Sequence, residues 1–179
     1  MSASDARSPP GAAMKATILL ERQHRNLQQL CEAVERGSAR IRESLLPQLA
    51  GDLVAHFAVE EQLFYPAVCA ALHEDAVARS DKSRHAEARL QLERVLAVPV
   101  EDDDMFAQAM GALRDVVERH AEEEEAVLFP QLEGALDSGA MRELGLSMMS
   151  LYHAKVEAGY SAPEKRPMRP AAEVHAHGR

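Results

Sequence analysis

His56-Phe57-Ala58-Val59-Glu60-Glu61-Gln62-Leu63-Phe64-Tyr65-Pro66 returns, without a gap, as His120-Ala121-Glu122-Glu123-Glu124-Glu125-Ala126-Val127-Leu128-Phe129-Pro130. Both stretches read H-x-x-x-E-E-x-x, followed by Phe or Leu, an aromatic residue and proline. Residues four apart lie on one face of a helix, so His56 with Glu60, and His120 with Glu124, each aim an imidazole and a carboxylate the same way. Such a pair is half of a metal site, and here it is written twice.

The repeat extends outward from these stretches. His24 lies 32 residues before His56, and His85 lies 35 before His120. Two helical hairpins, each supplying two histidines and a glutamate, would therefore meet around one centre. Apolar periodicity supports this reading. A first helix over about 13–36 carries Thr17, Leu20, His24, Leu27, Cys31 and Val34 on one stripe and ends at Gly37. A second, over about 39–72, has the stripe Leu49, Leu53, His56, Glu60, Leu63 and Ala67, with kinks expected at Pro47 and Pro66 or a break near Pro47. A third, over about 81–98 and capped by Ser80 or Asp81, aligns His85, Ala88, Leu92 and either Val95 or Leu96. A fourth starts in the acidic run Glu101 to Asp104 and reaches about residue 136. Its stripe of Leu113, Val117, His120, Glu124, Val127 and Gln131 falls 64 residues after its counterpart. A shorter fifth helix, over about 138–158, would cover one end with Leu144, Met148, Leu151 and Tyr152.

These elements predict an all-α fold, an up-down four-helix bundle over residues 13–160 with a short extra C-terminal helix. Residues 1–12 and the Pro- and Ala-rich stretch 161–179 read as a disordered leader and tail. At 179 residues and 46% apolar content, the chain can bury a sizeable core. With four Phe, three Tyr and no Trp, that core must be filled by Leu, Ala, Val and Met.

Charge narrows the partners. The net charge is −9, and the last 19 residues carry +2, which leaves −11 on the remainder. A body this acidic is a poor ligand for phosphates, so no nucleic-acid partner is expected. Cys31 and Cys69 are too few for a disulfide framework or a thiolate zinc site and read as small hydrophobes in a reducing compartment. The apolar run Thr17 to Leu20 is too short for a signal peptide, and no stretch approaches a membrane span. The expected location is cytoplasmic, with no membrane partner.

His24, His56, Glu60, His85, His120 and Glu124 all occupy inner positions of apolar stripes, where a polar group is costly unless something pairs with it. Four imidazoles and two carboxylates suit a first-row metal, iron above all, with zinc or manganese as possible substitutes. Two facing glutamates can bridge two ions roughly 3.5–4 Å apart. The reading is therefore a dinuclear site. Other candidates carry less. Glu61 and Glu125 read as solvated surface, with imidazole support as the alternative; Glu122 and Glu123 also read as surface. Glu21-x-x-His24 imitates a ferritin-like spacing that no other histidine shares. His73 and His153 read as solvent-facing, His175-x-His177 as a weak tail site, and Tyr65, Phe129 and Tyr152 as packing residues.

The duplicated H-x-x-x-E motif, with the two upstream histidines, resembles the hemerythrin-like family, whose signature is a His-His-Glu cation-binding set in a four-helix bundle. The resemblance covers about residues 14–158. It implies a non-haem di-iron centre, oxo- or hydroxo-bridged, held by His24, His56, Glu60, His85, His120 and Glu124. The oxygen-carrying members have two histidines four residues apart on the third helix. Here the positions flanking His85 at that distance are Asp81 and Arg89. The remaining set of four His and two Glu looks like the iron-centre repair and iron-sensing branches, without the Cys-bearing N-terminal domain of the bacterial repair proteins. One coordination position on each iron is then left open for oxygen, nitric oxide or peroxide, unless Asp81 or His153 supplies a further ligand.

Three functions follow as expectations. The first is a protein that binds or senses oxygen or nitric oxide at the di-iron centre. The second is an enzyme-like role in peroxide or nitric oxide detoxification, or iron donation for iron–sulfur repair. The third is an adaptor stapled by metal, with the tail meeting a protein partner.

Overall fold

The computed structural model describes residues 13–73 and 76–160, and only the backbone of 76–82. The leader, the tail with His175 and His177, and the side chain of Asp81 lie outside it. The described chain is all-helical. Helix α1 spans Ala16–Arg36 and α2 spans Ala39–Val59. A π-helical turn, Glu60–Phe64, joins α2 to α3, Tyr65–Leu72. Helix α4 covers Ala76–Ala97 and α5 covers Asp103–Glu123, and a second π-turn, Glu124–Leu128, leads into α6, Phe129–Ala135. Helix α7 covers Ser138–Ala158. Read as rods, α1, α2 with α3, α4, and α5 with α6 form the four-helix bundle, and α7 packs along α1 and α2.

The ends follow local chemistry. The Asp102 carboxylate accepts from the Met105 N–H at the start of α5, and Asp137 accepts from Gly139 and Ala140 at the start of α7. Gly37 ends α1 at φ −74°, an ordinary conformation, so its role is spatial. A Cβ there would lie 2.6 Å from Ile41 Cγ2 and 2.9 Å from the Ala33 carbonyl oxygen. Glycine thus lets the chain turn back closely onto the first turn of α2. His73 takes the left-handed conformation beyond α3 (φ 56°) and is exposed.

Two expectations about the rods need correction. Of the two alternatives at Pro47, a kink or a break, the break is excluded, because α2 runs on to Val59. Pro47 is exposed, so the carbonyl deprived of its N–H partner can turn to water. Ser80 and Asp81 do not cap α4, because the helix starts at Ala76.

A third correction concerns the inner stripe beyond each glutamate. The π-turn adds one residue to a turn, so every later inner position moves one place along. Leu63, Ala67, Val127 and Gln131 leave the centre of the stripe, and Phe64, Val68, Leu128 and Leu132 take their places as buried residues. Upstream, where the helices are regular, the stripes of α1 and α5 are buried as the spacing requires, and α4 uses Val95 rather than the exposed Leu96.

The core consists of two apolar layers. One gathers Leu27, Leu49, Leu53, Phe57, Leu92, Met110 and Leu113; the other gathers Leu20, Val59, Phe64, Val68, Leu132 and Met148. Leu144, Leu151 and Tyr152 of α7 pack against the second layer, as expected. Cys31 is buried in the first layer, while Cys69 is only half-buried. No helix among the described residues is long and apolar enough to cross a membrane.

Candidate metal centre

His24, His56, Glu60, His85, His120 and Glu124 come from the four rods and converge in the interior; His120 is 3% exposed and the other five 0%. His24, His56, Glu60 and His120 each offer an atom within 4.8 Å of all the others. The Glu60 carboxylate is central. Its Oε1 lies 3.0 Å from His56 Nε2, 3.4 Å from His120 Nε2 and 3.8 Å from His24 Nε2, and its Oε2 lies 3.1 Å from His85 Nε2. Glu124 Oε2 lies 3.5 Å from His24 Nε2 and 3.8 Å from His120 Nε2.

These approaches do not make hydrogen bonds. Both oxygens of Glu60, Glu124 Oε2 and the Nε2 atoms of His24, His56 and His120 are buried without a hydrogen-bond partner among the described residues. The outer ring nitrogens explain why. His24 Nδ1 meets Glu125 Oε1 at 2.9 Å, His56 Nδ1 meets Gln23 Oε1 at 2.9 Å, and His85 Nδ1 meets Glu61 Oε1 at 2.8 Å. Each partner is an acceptor, so each Nδ1 directs its N–H outward and leaves Nε2 facing the centre, where a metal ion can take its electron pair.

A seventh group belongs to this cluster. The Tyr65 hydroxyl, 2.7 Å from Glu124 Oε1, donates to it and also lies 3.2 Å from His85 Nε2. Its proton is thus spent on Glu124, and its oxygen faces the His85 lone pair beside Glu60 Oε2. Lone pairs turned on one another in a dry interior are repulsive, and a cation reconciles them. Metal–donor bonds of about 2.0–2.2 Å put neighbouring ligands of one ion about 3 Å apart, the spacing seen here around Glu60. The residues fit a metal site.

The acid–base balance points the same way. Burial favours the uncharged form of Glu124, and the charge of Glu60 adds to it, so the Glu124 carboxyl is pushed up to about 7. Burial acts in the same direction on Glu60, but His56 and His120 outweigh it and hold that carboxyl well below its ordinary value. For His24, burial opposes protonation, yet Glu124 and Glu60 prevail and lift the imidazole to about 10, so in the metal-free chain a proton holds the Nε2 pair that a metal ion would displace it from. His56 goes the other way, to about 4, because its burial is complete. Protons and metal ions compete for the same electron pairs.

The roles of Gln23 and Tyr65 were not read from the sequence, and for Glu61 and Glu125 the alternative reading, imidazole support, is the one the structure takes. Gln23 carried no signal at all. Tyr65 read as packing because a regular helix would turn it about 140° from Glu60. In the π-turn its N–H bonds the Glu60 carbonyl, and it comes round to the face that Glu60 occupies. Glu61 and Glu125 read as solvated surface, but each reaches an imidazole on a neighbouring helix. The remaining candidates stay away from the centre. Glu122 and His153 are exposed, so His153 adds no ligand. Glu123 pairs with Arg84, and Glu21 is exposed, which leaves the ferritin-like spacing without a role.

The family model of the hemerythrin HHE cation binding domain matches residues 16–132. The chain belongs to this family. Its fold is also that of a solved hemerythrin HHE cation binding domain-containing protein from Mycobacterium kansasii. That protein is 23% identical, with a TM-score of 0.72 over 81% of this chain and 89% of the other. No curated protein matches the chain. The HHE match gives the centre its general character, a cation site.

Proposed function

We propose that His24, His56, Glu60, His85, His120 and Glu124 would hold two iron ions, with Glu60 and Glu124 as the shared carboxylates, and that the protein binds or senses oxygen or nitric oxide there. The observation that carries this reading is the inward convergence of imidazole nitrogens and carboxylate oxygens left without hydrogen bonds among the described residues. Glu60 supports the bridging role, since its two oxygens face different histidines. Ferrous iron would supply electrons and open positions for a small ligand. The chain's own part is to orient the imidazoles through their outer nitrogens and to exclude water with the apolar layers on either side. Zinc or manganese fits the same donors less selectively.

One observation favours a second reading, an enzyme-like detoxification of peroxide or nitric oxide. The Tyr65 hydroxyl lies within hydrogen-bond reach of Glu124 and His85, where a proton could be delivered to a small ligand. Metal analysis and absorption spectra of the anaerobically reduced protein, before and after oxygen and then nitric oxide, separate the two. Reversible spectral change supports binding. Irreversible oxidation with peroxide turnover supports the enzyme, and a chain that takes up only zinc overturns both.

A further inference from the structure

We infer that Glu61 and Glu125 are positioning residues that make His85 and His24 stronger donors than the other two imidazoles. The inference deepens the di-iron reading and rests on it. Each repeat contains two consecutive glutamates. The first turns inward, and the second, about 100° further round the helix, emerges beside a neighbouring rod. There Glu61 Oε1 accepts from His85 Nδ1 and from Arg89, both at 2.8 Å. Glu125 Oε1 lies 2.9 Å from His24 Nδ1, while its other oxygen takes Arg25. The carboxylates are 28% and 22% exposed, so they have given up much of their hydration to make these contacts.

The other two imidazoles are served differently. His56 Nδ1 meets the uncharged amide oxygen of Gln23, and His120 Nδ1 has no hydrogen-bond partner among the described residues. Negative charge is thus delivered to one imidazole from each repeat, on α1 and on α4. An Nδ1–H bonded to a carboxylate gives its ring partial imidazolate character, which strengthens donation from Nε2 and fixes the ring's orientation. Stronger donation stabilises an oxidised metal more than a reduced one. Arg25 and Arg89, at the outer ends, hold the carboxylates in place and balance their charge toward solvent.

The test uses the iron-loaded full chain and the variants Glu61→Gln and Glu125→Gln, singly and together, with Glu122→Gln as a surface control. Glutamine keeps the shape and an acceptor oxygen but loses the charge. Iron per chain should match the unsubstituted protein. Iron release to a chelator should accelerate as affinity falls, by up to roughly 10–100-fold, the usual cost in metal affinity of losing such a partner. The midpoint potential should rise in each variant and rise most in the double variant. Potentials and release rates equal to those of Glu122→Gln overturn the inference while leaving the di-iron reading intact. A lower melting temperature of the metal-free variants with an unchanged potential also overturns it, since the carboxylates would then be braces only. An unsubstituted chain that takes up no iron overturns both.

Discussion

The two repeats share a backbone and differ in what surrounds it. Each turns from α-helix to π-helix at its inner glutamate, and each places proline in the first turn of the helix that follows. Proline lacks an N–H and needs clearance from the carbonyl four residues back, so a widened turn ahead of it suits the residue. The side chains nine residues after each histidine diverge. Tyr65 puts a hydroxyl on Glu124 and beside His85, whereas its counterpart Phe129 lays a ring parallel to His24, 5.9 Å between centroids. Phe57 stacks on His85 at 4.0 Å, while its counterpart is the smaller Ala121. A duplicated ligand set therefore sits in an environment that is not duplicated. Tyr65 brings a hydroxyl to Glu124 and His85, whereas the equivalent position beside His24 offers a ring without one.

The sharpest way to break the symmetry of the two glutamates is to remove them. Glu60→Ala and Glu124→Ala should each lower bound iron from about two to one or fewer per chain, because a bridging carboxylate serves both ions. Glu61→Ala and Glu125→Ala, at saturating iron, should keep the full complement. Equal losses in all four variants, measured by metal analysis, would mean that the bridges are misassigned. Chelation of the unsubstituted protein removes both ions at once. A ligand at a thousand times its Kd stabilises the fold by about 4 kcal/mol, or roughly 8–16 °C in a chain of this size. Helix content at room temperature should persist, because the two apolar layers remain. An apo protein that melts with the loaded form would argue against any buried metal.

The next largest effect tests the difference between the halves. Tyr65→Phe makes the first repeat like the second and strips a hydrogen bond from the buried Glu124 carboxylate, a cost of about 1–3 kcal/mol in the metal-free chain. It should also change the absorption spectrum of the iron-loaded protein, since the lost oxygen faces His85. Phe129→Tyr should not reproduce the arrangement on the other side. It buries a hydroxyl against His24, whose Nδ1 is already taken by Glu125, and should destabilise by about 1–3 kcal/mol. If both variants gave the same spectrum and stability as the parent, the two environments would be equivalent after all.

Much of this was legible in the chain itself. Four histidines and two glutamates in otherwise apolar stripes marked the bundle and its polar layer, because helical periodicity and the cost of burying polar groups act locally and are written in the spacing. What escaped was set by the π-turns and by partners distant in sequence. Tyr65 required the extra residue of the turn, and Gln23 reaches His56 across 33 positions with no motif to announce it.

The smallest expected effect, that of Val127→Ala, follows from that same extra residue. A regular helix would bury Val127, but the π-turn leaves it 51% exposed and buries Leu128 at 7%. Leu128→Ala should cost about 2–5 kcal/mol, the range for a large aliphatic side chain lost from a core, while Val127→Ala should stay within about 0.5 kcal/mol. The first repeat adds the comparison. Leu63, the counterpart of Val127, is half-buried against the layer to which α7 contributes Met141 and Met148, and α7 also packs on the first π-turn. Leu63→Ala should therefore fall between the other two in denaturant unfolding. Were Val127→Ala as costly as Leu128→Ala, the second rod would be a regular helix, and the register that brings Phe129 to His24 would be lost with it.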